Sequence, residues 1–544
     1  MEDKTVSFKV RKPALIATLV ILLAFFIMEL QVSMISPIVF GDEGFHAEMA
    51  VWMASHLDYP KWVPFEATPQ IMTGYWRPPM WNTLQASFLL FSGMSEIALK
   101  IMTPLISLLI GLSVYLFVRK LYNPNMGLLA SVITVALPSM VTYSVLLYYS
   151  MLSVFYFTLF FFTFVLSEKL GNRKYFYLSG VFAFLALMTN QVALGAYALV
   201  FVMLLYEVAK DGKLKLALWK YGPLLAIMIA LLAPYIIRNI ALYNAPACFT
   251  LPMINRYFKM WNVEGCDVNN MASQASFVGQ AIPTGTEQTV INLGIVSYLD
   301  FAYGNNFIVN VFILSVAAGV VILFARKERL SLPIGMILLM LVVLFISTYE
   351  RSEDLSRYTL MFAPMLALSA SVFWDELYVL VRKYQKHVAL VIFVFVIFLA
   401  YTNLQQKLPT MNTIKQFSPA FFEACDWIKD NTPENARLYT VWGHNAVYNC
   451  RRNMATNMPD VLLAPNASYE LKVLKENDIN YIFVQKFSID PQNRGYAGNY
   501  PLSFIQMLDS NSQTFVKVYE NGPELSQCLQ QGGCDGTIVY KVNA

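Results

Sequence analysis

Long apolar segments recur along this chain of 544 residues, and they constrain its fold more than any other feature. A helix needs about 20 consecutive apolar residues to cross the hydrocarbon core of a bilayer. Charged residues make up 14% of the chain, below the roughly 25% typical of soluble domains, so the composition excludes an ordinary soluble enzyme. The candidate spans lie near 13–37, 97–118, 127–147, 151–167, 176–190, 192–208, 221–241, 306–325, 332–348, 358–380 and 387–403. The sequence therefore predicts a polytopic α-helical membrane protein with about eleven transmembrane helices.

Basic residues lie beside every second candidate span. They precede the first span, and they follow the second, fourth, sixth, eighth and tenth. With eleven spans all of these clusters fall on one side of the membrane, and the positive-inside rule makes that side cytoplasmic. This pattern predicts an integral, multi-pass protein of the cell membrane with a cytoplasmic N-terminus and an extracytoplasmic C-terminal domain. The first span is expected to be an anchor, because no small-residue cleavage pattern follows it.

The chain divides into a membrane part and a tail of ordinary composition. Residues 1–403 form the predicted transmembrane domain, with a first outer loop at 41–96 and a second large outer loop at 242–305. The first loop is expected to lie on the membrane as short amphipathic helices. In the tail, 404–544, helical and strand patterns alternate, which predicts a soluble extracytoplasmic α/β domain. Its helices are predicted near 421–429, 469–477 and 504–508, and its strands near 437–441, 481–485, 515–519 and 537–542.

Six cysteines occur, and all of them lie in segments predicted to be on the extracytoplasmic side. An even number of cysteines in an oxidising compartment indicates disulfides. The expected pairs are Cys248–Cys266, Cys425–Cys450 and Cys528–Cys534, with free thiols as the alternative reading. Metal binding by these cysteines is not expected, because the chain has no Cys-x-x-Cys spacing.

An acidic pair, Asp42-Glu43, stands just beyond the first span. If the chain turns helical after Gly41, Asp42 and His46 share one face, and a half-exposed carboxylate with a histidine nearby is suited to act as a general base. The alternative is a helix start, where the backbone dipole stabilises acidic residues. A zinc site built on Asp-Glu-x-x-His lacks a third ligand in the sequence, so no metal site is predicted.

Three arginines are predicted at the outer ends of membrane segments, where the inside bias of basic residues does not place them. Arg77 stands before two prolines that hold the re-entering chain extended, Arg238 closes the seventh span, and Arg357-Tyr358 opens the tenth. A guanidinium group suits a phosphate. The alternatives are lipid headgroups for Arg77 and loop carboxylates for the other two. Together with His46, these residues are the candidates for binding the donor phosphate or the acceptor.

The sequence has no Walker loop and no glycine-rich dinucleotide motif, and nothing in it indicates a nucleic-acid partner. An outward-facing site without a nucleotide motif requires a substrate that is already activated. A sugar linked to polyprenyl phosphate meets this requirement, because it arrives within the bilayer in an energised form. Membrane lipids and a lipid-phosphate sugar donor are therefore the predicted partners.

Four segments, in order between about residues 13 and 380, resemble motifs of the GT-C superfamily of polytopic glycosyltransferases. The resemblance is to the branch that contains protein O-mannosyltransferases and the aminoarabinose transferases of lipid A. The matching segments are Gly41-Asp42-Glu43 with Ala47 and Glu48, Arg77-Pro78-Pro79, Ala233-Pro234-Tyr235-Ile236-Ile237-Arg238-Asn239, and Arg357-Tyr358 through Pro364.

The resemblance implies an inverting glycosyltransferase that acts at the outer face of the membrane. The donor would be a sugar on polyprenyl or dolichyl phosphate, and the acceptor a hydroxyl of a protein, lipid or glycan. It implies Asp42 as the catalytic base, with Glu43 supporting the placement of the base or acceptor. Arg77, Arg238 and Arg357 would contact the donor phosphate. No dedicated cofactor is implied, although some members of the superfamily use a divalent metal ion.

The chain departs from related patterns at two places. Family members often carry a further acidic residue in the second outer loop, where this chain has Tyr148-Tyr149-Ser150-Met151. The tail from Ala424 to Pro433 is similar to the start of the soluble domain in archaeal oligosaccharyltransferases, yet Trp442-Gly443-His444 stands where those enzymes carry Trp-Trp-Asp-Tyr-Gly. The similarity of the tail makes an oligosaccharyltransferase-like enzyme, acting on protein, one alternative.

A transporter or scaffold with an ectodomain is the alternative from another functional class. Transporters usually place charges near the middle of the membrane and contain inverted repeats. The candidate spans of this chain hold very few charges, and the candidate functional residues cluster at the outer face. This distribution favours chemistry at the membrane surface.

Overall fold

The computed structural model describes residues 12–39, 42–60, 78–243, 306–326, 333–335, 337–338, 357, 359–414, 418–456, 458–491, 499–530 and 534–543. These residues form a helical membrane part and a C-terminal part built around a mixed β-sheet. The predictions on Arg77, Tyr358, Cys248 and Cys266 lie outside the described residues.

The membrane part begins with a long helix and continues as a series of packed helices. In chain order they are α1 (Lys12–Ile35), α2 (Glu43–His56), α3 (Met80–Ser92), α4 (Glu96–Leu121), α5 (Pro124–Ala136), α6 (Pro138–Ser144), α7 (Ser150–Leu170), α8 (Arg173–Leu187), α9 (Leu194–Asp211), α10 (Leu214–Tyr243), α11 (Asn306–Ala325), α12 (Ala363–Tyr384) and α13 (Lys386–Ile414). Short 3-10 turns at Gln191–Ala193 and Leu360–Phe362 precede α9 and α12.

Among the described residues, five helices are long and apolar enough to cross a membrane, or six if α5 and α6 together form one broken span. The five lie at Pro13–Ile35, Glu96–Leu121, Ser150–Leu170, Leu214–Ala241 and Leu360–Tyr384. The chain is therefore an integral, multi-pass membrane protein, as predicted. The full count of eleven spans and their orientation stay predictions.

The span predicted at 127–147 is broken in the structure. Helices α5 and α6 meet at an angle of 63° at Leu137. Pro138 explains the break, because proline disfavours the helical conformation of the residue before it and has no N–H to donate to the preceding turn. The chain then passes through residues 145–149 before α7 begins. This non-helical segment lies beside the first outer loop, because the Leu147 N–H donates to Glu43.

A buried carboxyl group lies inside the first membrane helix. Glu29 on α1 is 1% exposed, and the Ser107 hydroxyl on α4 donates to its Oε1 at 3.3 Å. Ionisable side chains within membrane helices are costly unless another polar group meets them. The hydrogen bond therefore links α1 to α4 by a polar contact within the membrane part.

The C-terminal part is a mixed α/β structure, as predicted. Its helices are α14 (Pro419–Asn431), α15 (Gly443–Cys450), α16 (Pro459–Leu462), α17 (Ala467–Glu476), α18 (Leu502–Ser510) and α19 (Leu525–Gln530), and its strands are β1 (Arg437–Tyr439), β2 (Asn453–Ala455), β3 (Tyr481–Gln485), β4 (Ile489–Asp490), β5 (Tyr500–Pro501), β6 (Phe515–Asn521) and β7 (Thr537–Val542). The main sheet has the order β2-β1-β3-β7-β6, and β4 pairs with β5 in a separate small sheet. Strand β1 is parallel to β2 and β3, whereas β7 is antiparallel to β3 and β6.

The first outer loop packs between the membrane helices and the C-terminal domain. Its helix α2 contacts α3 on one side and α15 on another. Phe45 and Met49 are fully buried in an apolar cluster with Phe421 and Ala446 of the C-terminal domain. The prediction of amphipathic helices on the membrane surface does not describe α2, because apolar residues occur around most of its circumference and are buried on several sides.

Two of the predicted disulfides lie within the described residues, Cys425–Cys450 and Cys528–Cys534, and both are formed. Cys425 lies in α14 and Cys450 ends α15, so the first bond fixes the helix that packs on α2 to its neighbour. The second closes a short loop after α19.

We expect the double substitution Cys425→Ser/Cys450→Ser to lower the free energy of unfolding by about 3 kcal/mol, because it releases a closed loop in the unfolded chain. The two cysteines are 25 residues apart, against 6 for the second pair. Cys528→Ser/Cys534→Ser is the matched control, with a smaller expected loss of about 2 kcal/mol. Thermal unfolding of the purified full-length chain measures both, and equal stability of all three proteins would contradict the expectation.

Candidate active site

Asp42 lies at the N-terminal end of α2, as the first residue of the predicted acidic pair. Its backbone C=O accepts the N–H of His46 at 3.0 Å, which closes the first turn of the helix. Its side chain makes no capping hydrogen bond to the helix. The side chain is 32% exposed, so solvent or substrate reaches it. The alternative of a helix start thus explains why Asp42 lies at this position, but its carboxylate does not cap the helix.

Glu43 differs from its neighbour, because its side chain is completely buried. Its Oε1 accepts the backbone N–H of Leu147 at 2.8 Å, and its Oε2 accepts the N–H of Val39 at 3.3 Å. A buried carboxylate is stable only when such donors meet it. Glu43 therefore joins three pieces of backbone: the segment after α1, the start of α2, and the segment after α6.

Tyr148 adds a hydroxyl group to the site, and sequence reasoning did not assign it a role. Its Oη accepts the backbone N–H of Asp42 at 3.0 Å. Burial raises the pKa of Tyr148 well above its usual value, and the nearby carboxylates of Asp42 and Glu43 raise it further. The phenol therefore stays neutral at physiological pH. The signal in the sequence was the Tyr-Tyr pair at a position where related enzymes often carry an acid.

Arg357 brings a positive charge to Asp42 from the segment before α12. Its Nη1 lies 3.6 Å from Asp42 Oδ2, and its side chain is 17% exposed. Its Cζ lies 5.5 Å from the ring centroid of Tyr149 and 5.9 Å from that of Tyr148. Aromatic faces attract a guanidinium group and hold it in place. The distance from Nη1 to Oδ2 is longer than the roughly 2.8 Å of a tight charge-assisted hydrogen bond.

His46 is buried beneath this pair. It is 2% exposed, and its ring centroid lies 5.6 Å from that of Tyr149 and 6.5 Å from that of Tyr148. The Asn82 amide nitrogen lies 3.0 Å from the His46 carbonyl oxygen and 3.4 Å from its Nδ1. These contacts place His46 behind the two tyrosines and favour a supporting role over direct contact with a substrate.

Arg238, at the end of α10, contacts the loop that follows α2. Its guanidinium group donates to the Pro60 carbonyl at 2.9 Å and to Asn239 Oδ1 at 3.2 Å, and its Cζ lies 4.4 Å from the centroid of the Tyr59 ring. Arg238 thus binds the backbone and an aromatic ring of this loop. These contacts favour a role for Arg238 in holding the loop that follows α2.

The site gathers two acids, one arginine and two tyrosines from three distant parts of the chain. Asp42 and Arg357 form its partly exposed side, while Glu43 and His46 lie inside. No group of three His, Cys, Asp or Glu side chains placed to hold a metal ion occurs within the described ranges. Chemically, the arrangement offers a carboxylate able to take a proton beside a cation able to hold an anion.

Residues 76–237 match the family model described as dolichyl-phosphate-mannose-protein mannosyltransferase. The match includes the re-entry prolines and most of α10, and it is shorter than half of the chain. It confirms the predicted GT-C resemblance and the predicted enzyme class, a glycosyltransferase. No protein with a curated description matches the sequence.

Two solved structures share the fold at low sequence identity. ArnT from Cupriavidus metallidurans bound to undecaprenyl phosphate is 12% identical, with 97% of each chain covered and a TM-score of 0.61. The archaeal oligosaccharyltransferase AglB from Archaeoglobus fulgidus, in complex with an inhibitory peptide and a dolichol-phosphate, is 12% identical, with 93% of this chain and 73% of AglB covered and a TM-score of 0.60. The chain therefore has an ArnT-like fold, which extends over the membrane part and the C-terminal domain.

We expect Tyr148→Phe to slow sugar transfer about fivefold, because the Asp42 amide loses its acceptor and one such hydrogen bond is worth about 1 kcal/mol. Since the phenol stays neutral, the acidic limb of the pH–rate profile should not move. Tyr177→Phe, on an exposed tyrosine of α8, is the control and should leave the rate unchanged. Initial rates from pH 5 to 9 in about one-unit steps test both expectations, and an unchanged rate for Tyr148→Phe would remove this hydroxyl from the site.

Proposed function

We propose that the chain is an inverting glycosyltransferase that moves a sugar from a polyprenyl- or dolichyl-phosphate donor to an acceptor hydroxyl at the outer face of the membrane. The observation that carries the proposal is the partly exposed pair of Asp42 and Arg357, held 3.6 Å apart. The pair supplies the two groups that such a reaction requires, a base for the acceptor and a cation for the leaving phosphate.

The donor class is supported by the family match and by the ligands of the structural relatives. The ArnT structure contains undecaprenyl phosphate and the AglB structure a dolichol-phosphate. In this chain, Arg357 is the described cation beside the acidic pair, and a guanidinium group binds phosphate through paired N–H donors. Arg77 and Tyr358 remain proposed donor or acceptor contacts on sequence grounds. Arg238 is proposed to act on the donor through the loop that it holds.

Asp42 is the proposed general base. Glu43 has both oxygens bonded to backbone amides, and Tyr148 stays neutral, so neither is as well placed to take a proton at physiological pH. The acceptor oxygen attacks the anomeric carbon and forms the new glycosidic bond. The bond from that carbon to the phosphate oxygen breaks, and polyprenyl phosphate leaves with the electron pair. Asp42 takes the hydroxyl proton, and attack opposite the leaving group inverts the configuration.

The position of the site at the outer face rests on the distribution of charge and on the disulfides. The positive-inside rule puts the first outer loop opposite the basic clusters. Two disulfides in the C-terminal domain fit an oxidising compartment. Since α15 of that domain packs on α2, both belong on the same side of the membrane.

An oligosaccharyltransferase-like reaction on protein is the second candidate, and the fold shared with AglB favours it. The segment Trp442-Gly443-His444, at the start of α15, lies next to α2. The two candidates differ in the acceptor, so identification of the labelled product separates them.

We expect Asp42→Asn to lower transfer at least a hundredfold, because general base catalysis contributes about 10²–10⁴-fold. Membranes containing the wild type or the variant are supplied with radiolabelled polyprenyl-phosphate mannose or glucose, and the labelled product is counted. Asp460→Asn, on an exposed aspartate of α16, is the matched control and should retain full activity.

Equal transfer by the wild type and Asp42→Asn, at equal protein level, would remove Asp42 as the base. Absence of transfer by the wild type from either donor would contradict the proposed substrates and favour the transporter or scaffold reading.

A further inference from the structure

Two asparagines of the C-terminal domain reach across to the backbone that leads into the active site. Helix α1 ends at Ile35, so the carbonyls that follow it have no partner from a continuing helix. The side-chain amide of Asn449 donates to the Ile38 carbonyl at 3.0 Å, and that of Asn445 donates to the Val39 carbonyl. The two asparagines are four residues apart on α15, so they share one face of the helix.

The same backbone is held from its other side by the active site. The Val39 N–H donates to Glu43 Oε2 at 3.3 Å, and Glu43 Oε1 accepts the Leu147 N–H at 2.8 Å. Asn449, the Ile38–Val39 peptide group, Glu43 and Leu147 therefore form one chain of hydrogen bonds, and Asn445 holds the next carbonyl of the same backbone, that of Val39. Asp42 directly precedes Glu43 in the sequence and Tyr148 directly follows Leu147, so the chain of bonds fixes both groups.

Helices α15 and α2 pack with their backbones in close contact at Gly44. A Cβ atom at Gly44 would lie 2.5 Å from the His444 carbonyl oxygen, so only glycine fits there. The rings of Phe45 and His444 are 5.6 Å apart, and Asn445 is 4% exposed. At the other end of α15, the disulfide of Cys450 holds the helix to α14.

A charged contact continues this interface along α2. Arg451 Nη1 lies 3.5 Å from Glu48 Oε2. Burial raises the pKa of the Glu48 carboxyl, while the positive charge of Arg451 opposes that rise. The interface thus extends along two turns of α2, beginning next to Asp42.

We propose that Asn445 and Asn449 are positioning residues for Asp42, so that the C-terminal domain sets the geometry of the base in the transfer step. The inference rests on the proposed function of Asp42. Neither asparagine touches the reacting atoms. They act through the backbone at Ile38 and Val39 and through Glu43, and a displacement of about 1 Å at a catalytic group is enough to cost about a hundredfold in rate.

Asn445→Asp is the sharpest test, because it keeps the shape of the side chain but replaces its N–H donor by an oxygen that repels the Val39 carbonyl. We expect kcat to fall at least tenfold, while KM for the polyprenyl-phosphate donor stays within about twofold. Asn445→Ala and Asn449→Ala should lower kcat less, since they remove a donor without adding repulsion. Asn453→Asp adds the same charge at an exposed position of β2 and should leave both constants unchanged.

Hydrogen exchange of the peptide that spans residues 38–44 provides a readout that needs no substrate. In the full-length chain, Asn445→Asp should speed the exchange of these amides relative to both the wild type and Asn453→Asp, because the Val39 carbonyl loses its donor. An unchanged kcat, or a raised KM at constant kcat, would overturn the positioning role while leaving the proposed function intact.

If the wild type transfers no sugar, the proposed function fails separately. Unchanged exchange in Asn445→Asp would then overturn the inference as well. Faster exchange would still support the part of the inference that needs no substrate, namely that Asn445 of the C-terminal domain holds the backbone beside Asp42.

Discussion

The burial of Glu43 is the interaction on which the arrangement of this site depends. A carboxylate removed from water must find donors, and here the amides of Val39 and Leu147 supply them. Those amides belong to segments that lie outside regular helices, after α1 and after α6. The hydrogen bonds of this one buried acid therefore hold together the segment after α1, the start of α2 and the segment after α6. Asp42 and Tyr148, each adjacent in sequence to one end of this link, are placed as a consequence.

Two neighbouring carboxylates thus have different environments and different roles. Glu43 is enclosed and its oxygens are occupied, whereas Asp42 is partly exposed and faces Arg357. The stacking of Arg357 on Tyr148 and Tyr149 keeps a cation near Asp42 without a tight ion pair. An anionic ligand can then share the guanidinium group with the carboxylate.

The sequence predicted the features that local residue patterns determine, but not those that depend on contacts between distant segments. Apolar runs predicted a multi-pass helical protein, alternation predicted the mixed sheet, and the cysteine count predicted the disulfides of the C-terminal domain. Asp42, Glu43 and Arg357 stood out because charges at the ends of apolar segments are unusual. The contact of Asn445 with Val39 joins residues 406 positions apart, so no periodicity indicates it. Helix α2 was expected on the membrane surface, but tertiary burial of Phe45 and Met49 places it in the interior.

The most direct test of this account is a structure of the full-length chain with undecaprenyl phosphate bound. The account predicts that the phosphate lies within hydrogen-bonding distance of the Arg357 guanidinium group, on the exposed side of Asp42, while Glu43 keeps its bonds to Val39 and Leu147. A phosphate bound away from Arg357, with the pair of Arg357 and Asp42 closed and unchanged, would contradict the central claim that this pair is the reaction centre.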